Sequence, residues 1–157
     1  MFDFLKKKET TNDLKVCLKH GNAALPTAGH RTDAGLDLYL TGSLVLKPKQ
    51  GRTFPIGISV CIPEGYVGLI LPRSSVSFKG VHVCTGVVDA GYVGEISISV
   101  NNMTNNLIKF KPHDRIAQLV IIPVASFTPV PTLQEDLDLT AAEFSDRGNG
   151  AFGSTGE

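Results

Sequence analysis

The sequence predicts an all-β fold, a sandwich, jelly roll or barrel. Three observations carry this: apolar residues recur at every second position, turn signals interrupt them at short intervals, and helix signals are scarce. Residues 1–13 are polar, lysine-rich and without period, and read as a loose lead-in. Leu14, Val16 and Leu18 then alternate with polar positions up to a Gly21-Asn22 turn. Leu36, Leu38 and Leu40 repeat the pattern before the Lys47-Pro48 turn. Ile56, Ile58, Val60 and Ile62 form a longer alternating run that ends at Pro63-Glu64-Gly65. Such alternation turns one strand face inward and the other outward.

Two denser apolar runs, Val67 to Leu71 and Leu119 to Val124, read as strands buried on both faces. Ser74-Ser75 is placed to cap one short helix before Gly80, and Leu139 to Phe144 can form another helical turn. Ile96, Ile98 and Val100 give a further alternating strand, and Asn105-Asn106 and Lys111-Pro112-His113-Asp114 supply later turns. No βαβ rhythm and no repeat of solenoid or propeller period is present. Residues 125–157 change character, from proline-spaced (Pro129, Pro131) to acidic (Glu135, Asp136, Asp138, Glu143) to glycine-rich. The organisation that follows is a lead-in over 1–13, a β-barrel core over 14–131 and a C-terminal arm over 132–157.

At 157 residues the chain has the size of one domain. It is 42% hydrophobic, enough for a core, and 19% charged. Fifteen basic residues balance fifteen acidic ones, so no net field draws in nucleic acid or an anionic membrane. Any anion site must be local. No apolar run approaches the ~18 residues of a membrane span, and the charges of Lys6-Lys7-Lys8 follow the first apolar residues, the reverse of a signal peptide. Cys17, Cys61 and Cys84 are odd in number and form no CxxC pair, which points to a reducing, cytoplasmic setting.

Several clusters carry possible chemistry. The tail Arg147-Gly148-Asn149-Gly150-Ala151-Phe152-Gly153-Ser154-Thr155-Gly156 matches G-x-G-x-x-G and nearly matches a P-loop. Both need a helix afterwards to hold the phosphate, and only Glu157 follows. What remains is bare backbone amides, two hydroxyls, one arginine and one aromatic ring, suited to closing over a flat phosphorylated ligand or to being an ordinary glycine-rich tail. Pro72-Arg73-Ser74-Ser75 follows a buried strand; its guanidinium and hydroxyls suit phosphate oxygens, or form a plain serine cap beside a surface arginine. Asp89, among apolar neighbours in Gly86 to Glu95, can serve as a general base if partly buried, or simply start an Asp-Ala-Gly turn. Asp37 falls on the polar beat of its strand, which predicts exposure. Arg115 and Gln118 flank Ile116-Ala117 ahead of a buried strand. The four histidines show no metal-ligand spacing, and no G-x-S-x-G elbow supports a serine triad.

Taken in order, these clusters closely resemble the five motifs of the homotrimeric dUTPase family, the deoxyuridine triphosphate nucleotidohydrolases. The motifs are Ala34-Gly35-Leu36-Asp37-Leu38, Pro72-Arg73-Ser74-Ser75, Gly86 to Ile96 around Asp89 and Tyr92, Asp114 to Leu119, and the Arg147–Gly156 tail. The resemblance spans about residues 26 to 156. Any one motif is weak, whereas five in register are specific.

The resemblance implies a jelly-roll-like β-barrel with one short helix and a flexible C-terminal arm. Three copies would build active sites at their interfaces, each arm crossing to a neighbour. The implied reaction is hydrolysis of dUTP to dUMP and pyrophosphate, which supplies dUMP for thymidylate synthesis and keeps uracil out of DNA. Asp89 would orient and deprotonate the water attacking the α-phosphorus. Asp37 would hold the hydration shell of a Mg²⁺ ion on the triphosphate. Arg73, Ser74, Ser75 and Gln118 would line the phosphate path, and Arg147, Gly153, Ser154 and Thr155 would close on the outer phosphates. Phe152 would stack on uracil. Tyr92 would pack beneath the deoxyribose and exclude a 2′-hydroxyl. The backbone from Val83 to Gly86 would read the uracil edge, leaving no room for a methyl group. Arg115 would support the site or the interface. Two departures stand out: Gly150-Ala151 replaces a double glycine, at about 1 kcal/mol if that position needs positive φ, and Val76-Ser77-Phe78 replaces the usual Gly-Leu-Ala.

The nearest rival is dCTP deaminase, a similar fold with related motifs. Its glutamate proton shuttle would fall at Ser99 here, and a tryptophan would stand in place of Tyr92, so deamination, alone or combined with dUTP hydrolysis, is disfavoured. A non-catalytic regulatory protein on this scaffold is opposed by the presence of Asp89 and the arm. A capsid-like jelly roll would make the five motifs a coincidence.

Overall fold

The computed structural model of the protein describes residues 13–145. Of the sequence expectations, most of the lead-in and the tail residues Arg147, Phe152, Gly153, Ser154 and Thr155 lie outside the described residues. The chain divides between Ala125 and Ser126 into two units.

Among the described residues, the first unit holds eleven strands, all antiparallel, in four small sheets. β1 (Lys15–Leu18) pairs with β5 (Ile58–Cys61), and β3 (Leu44–Leu46) pairs with β10 (Ile108–Phe110). β2 (Gly35–Tyr39), β11 (Arg115–Pro123), β6 (Tyr66–Pro72) and β8 (Gly86–Val88) follow one another in the largest sheet. β4 (Gly51–Pro55), β9 (Ser97–Asn102) and β7 (Val81–Val83) form the fourth. One short helix, α1 (Ser74–Phe78), follows β6. This is the all-β architecture that the period-two pattern predicts, of the jelly-roll-like kind that the family resemblance implies.

The alternating residues are the core: Leu38, Leu40, Ile56, Ile58, Val60, Ile62, Ile96, Ile98 and Val100 are all buried. The run from Ile56 to Ile62 is not one continuous strand, because Gly57 (φ 74°) turns the chain between β4 and β5. The Leu119–Val124 run departs from expectation. Leu119 is buried, but Ile122 is 37% and Val124 47% exposed, since the end of β11 outruns the apolar cover that this chain provides. A further element was invisible to periodicity. Asn102 is buried; its side-chain nitrogen donates to the carbonyls of Leu46, Lys47 and Asn106, and its oxygen accepts from the Thr104 amide and hydroxyl. That network fastens the β9–β10 turn to β3.

In the second unit, α2 (Gln134–Ala142) is longer and starts earlier than the helical turn predicted over Leu139 to Phe144. No side chain caps it, so the usual start signal is missing from the sequence. Glu135 and Asp136 in the first turn suit the positive end of the helix dipole, and Gln134 donates to Asp138 one turn on at 2.9 Å. None of its residues is buried.

Candidate active site

A β-bulge builds the first cluster. Along β11, Arg115 and Gln118 are three residues apart, which in a regular strand puts them on opposite faces. The register shifts between Arg115 and Ala117, so Arg115 lies opposite Tyr39 while Gln118 lies opposite Asp37. Asp37 and Tyr39 share a face of β2, so the extra residue brings Arg115 and Gln118 to the side of Asp37. Ile116 and Ala117 are both fully buried beneath them.

Asp37 does point away from the core, as the polar beat predicts, yet it is only 7% exposed. Arginines cover it. Arg73 donates from Nε to Oδ1 at 2.6 Å, and Arg115 donates to Oδ2 at 3.1 Å. Arg73 also reaches the Arg115 carbonyl and the Ser75 hydroxyl, each at 3.4 Å. Ser74 does not cap α1; Arg73 occupies the cap position without a side-chain bond, and Ser74 begins the helix. Gln118 donates to the Pro72 carbonyl at 2.9 Å, and a Cβ at Gly35 would run into its side-chain oxygen.

Gly35, Asp37, Arg73, Arg115 and Gln118 line a cleft of about 400 Å³ together with Gly29, His30, Asp33, Ala34 and Ser74, whereas Ser75 is not part of its lining. The loop from Gly29 to Asp33, just ahead of the first motif, escaped the sequence reading. Its one signal is Asp33 placed to bond back three residues, and its carboxylate accepts from the His30 amide at 2.8 Å. Two guanidiniums face two carboxylates in this cleft, so the formal charge of its arginines and aspartates is zero.

The second cluster lies elsewhere on the large sheet. Asp89 follows β8 and begins a turn in which the Tyr92 amide donates to its carbonyl at 3.1 Å and Gly91 has φ 82°. Asp89 is exposed, contrary to the expected partial burial, because the turn carries it past the last paired residue. Tyr92 is 47% exposed; its hydroxyl donates to the Glu95 carbonyl at 3.2 Å, and its ring lies where a Cβ on Gly94 would be. The Glu95 carboxylate in turn accepts from the Gly57 amide at 2.9 Å. Gly86, opposite Ile70, sits at the start of β8.

The two clusters cannot meet within one chain. Val88 pairs with Gly68, five residues before Arg73 on the neighbouring β6. At about 3.4 Å per residue this separates Asp89 from Arg73 by roughly 17–20 Å along the sheet. Neither Asp89, Tyr92 nor Gly86 lines the cleft. Among the described residues, no cluster of three or more acidic, histidine or cysteine side chains is arranged to hold a metal directly. Ser99, where a deaminase-like fold would carry its glutamate, bonds to the Thr53 hydroxyl at 2.8 Å across β4 and β9.

An all-β fold with an arginine-lined cleft at one place on its largest sheet and a carboxylate hairpin at another has the donors and the acceptor that suit the class of proteins handling phosphorylated ligands. Sequence and structure comparisons narrow this class. A dUTPase family model matches residues 21–156. The chain is 40% identical over 138 residues to the deoxyuridine 5'-triphosphate nucleotidohydrolase of Leifsonia xyli, covering 84% of this chain and 85% of the relative. It is 38% identical to that of Debaryomyces hansenii, covering 97% and 92%. Among solved structures, a dUTPase mutant of Staphylococcus bacteriophage 80alpha with dUpNHpp superposes with a TM-score of 0.81 at 33% identity, covering 94% of this chain and all of that one. A mutant dUTPase of phage phi11 of S. aureus, solved with attention to a structural Mg(II) ion, gives a TM-score of 0.70 at 32% identity, covering 78% and 96%. The chain belongs to the dUTPase family.

Proposed function

We propose that the protein is a dUTP diphosphatase that hydrolyses dUTP to dUMP and pyrophosphate in the cytoplasm, as a homotrimer. The observation that carries this reading is the cleft in which Arg73 and Arg115 are both held on Asp37 beside Ser74 and Gln118. Fixed guanidinium donors with hydroxyl and amide neighbours suit a chain of phosphate oxygens. Arg73, Ser74, Ser75 and Gln118 bind that chain, while Arg115 acts through Asp37 by holding it in place.

The separation of Asp89 from the cleft argues for assembly. Val87 and Val93, on either side of Asp89, are each 64% exposed, and the end of β11 is uncovered as well. Packing such surfaces between three copies brings the Asp89 hairpin of one copy to the cleft of another. The arm over 132–157 then closes the site, with Arg147, Gly153, Ser154 and Thr155 on the outer phosphates and Phe152 stacked on uracil.

In the assembled site Asp89 accepts a proton from a water whose oxygen attacks the α-phosphorus. The bond from that phosphorus to the bridging oxygen breaks, and pyrophosphate leaves. Tyr92, fixed by Gly94 and the Glu95 carbonyl, packs against the deoxyribose and excludes a 2′-hydroxyl. The Val83 to Gly86 backbone reads uracil.

Mg²⁺ fits this site as a hydrated ion brought by the substrate. Each Asp37 oxygen takes one guanidinium proton, and an ionised carboxylate has about four acceptor positions, so places remain for water. Bound there, the ion supplies positive charge to a triphosphate that the neutral cleft cannot balance alone. Arg147 adds a further charge from the arm.

The test is pyrophosphate release from dUTP with Mg²⁺, beside dCTP, dTTP and UTP, with Asp89→Asn as control. Fast release from dUTP alone, lost in the variant, supports the reading. Ammonia from dCTP would instead indicate deamination.

A further inference from the structure

Away from the cleft, the β1–β5 ribbon carries two thiols that the proposed reaction does not use. Cys17 lies opposite Ser59, and Cys61 lies opposite Lys15. Ile58 and Val60, the alternate residues of β5, are buried in the core, so Ser59 and Cys61 point to the other face, together with their partners Cys17 and Lys15. Both thiols are free and exposed in the single chain, and with Ser59, Lys15 and Lys19 they line one cavity of about 360 Å³ whose rim includes Val93, part of the surface proposed above to pack between copies. Ser59 is 5% exposed, and its hydroxyl has no hydrogen-bond partner among the described residues. Lying opposite Cys17 and two residues from Cys61, this hydroxyl keeps both its donor and its acceptor capacity for a polar or ionic partner.

We propose that Cys17 and Cys61, with Ser59 between them, form a binding site for one soft, monovalent, thiophilic cation of the Cu(I) class. Spacing selects a metal bridge over a disulfide. The thiols are diagonal neighbours across an antiparallel pair, about 7–8 Å apart at Cα. That lies at or beyond the long end of the range a disulfide spans, where strain is stored. One metal atom between two sulfurs adds reach, about 2.3 Å per bond if the zinc–thiolate length is a guide. Thiolates are the soft donors that select Cu(I). On binding, two S–H bonds give up their protons to solvent and two metal–sulfur bonds form, leaving a complex of charge −1. Lys15 and Lys19 offset that charge, and the Ser59 hydroxyl donates to a thiolate as an outer-shell partner.

The test presents Cu(I) from a competing colorimetric chelator to the full chain without oxygen. Wild type should withdraw one ion per chain. Cys17→Ser and Cys61→Ser should each lose on the order of 100-fold in affinity, because each removes the chelate. Ser59→Ala should keep the stoichiometry and lose roughly tenfold, and Cys84→Ser should match wild type. Thermal melts of the metal-free variants check folding, since Cys17 and Cys61 are surface residues. No uptake, uptake that follows Cys84, or single variants that each retain half of the uptake would overturn the proposal. None of these readouts depends on dUTP turnover.

Discussion

Arg73 and Asp37 form the closest ion pair of the described chain, with Nε 2.6 Å from Oδ1. It joins the corner between β6 and α1 to the middle of β2, and it leaves Arg73 only 22% exposed at the floor of the cleft. One carboxylate thereby fixes two guanidiniums, because Arg115 takes its other oxygen.

Removing that carboxylate should therefore cost both stability and substrate recognition. Asp37→Ala is expected to lower unfolding free energy by about 2–3 kcal/mol, less than a fully buried pair because Arg115 is half exposed. Denaturant titration reads this. The specificity constant for dUTP should fall on the order of 100-fold as the freed arginines lose their aim. Asp37→Asn, which keeps an acceptor, should fall between wild type and alanine in both.

Gly35 tests the role of Gln118 without touching it. A Cβ at Gly35 meets the Gln118 side-chain oxygen, so Gly35→Ala should push the amide off the Pro72 carbonyl. Dissociation of a non-hydrolysable dUTP analogue should quicken by about tenfold. The melting temperature should fall modestly, since the side-chain oxygen can swing away while the Gln118 Cβ, 3.1 Å from the added Cβ, is held on its strand.

Glu95 links the Tyr92 hydroxyl to the barrel through its backbone carbonyl and the Gly57 amide through its carboxylate. Glu95→Ala should let the tyrosine shift and reduce the preference for dUTP over UTP by about tenfold. Glu95→Gln retains an acceptor for the Gly57 amide and should restore the preference. Paired specificity constants for the two nucleotides measure it.

Asn102 should matter to folding and not to chemistry. Asn102→Ala removes three bonds to carbonyls and two from Thr104, although Lys47 keeps the Gln50 amide and Asn106 the Thr104 hydroxyl, and should cost about 2–4 kcal/mol in a denaturant titration. Asn102→Asp, similar in shape, should fail as well, because the side-chain nitrogen is the donor to all three carbonyls.

Much of this was legible in the residues. The alternating isoleucines and valines define the core faces, and residues singled out in three of the motifs, Asp37, Arg73, Ser74, Arg115 and Gln118, line one cleft. The burial of Asp37 was not legible, because alternation gives the direction of a side chain and says nothing of what covers it. Nor was the bulge at Arg115: an extra residue in a strand leaves no mark in composition, yet it decides which face Arg115 takes. The start of α2 was placed five residues late because no side chain caps it, and the Asn102 network escaped because asparagines before a turn read as turn residues. The distance between Asp89 and Arg73 needed the β6–β8 register, which no sequence pattern supplies.

That distance gives the most direct test. If Asp89 of one copy serves the cleft of another, two inactive variants should rescue each other. Asp89→Asn and Arg73→Ala, each inactive alone, are refolded together and assayed for pyrophosphate release from dUTP. The account predicts that mixed assemblies recover a substantial fraction of wild-type activity, since some sites then combine an intact Asp89 with an intact Arg73. Mixed assemblies that form, verified by two affinity tags, and yet stay inactive would contradict it.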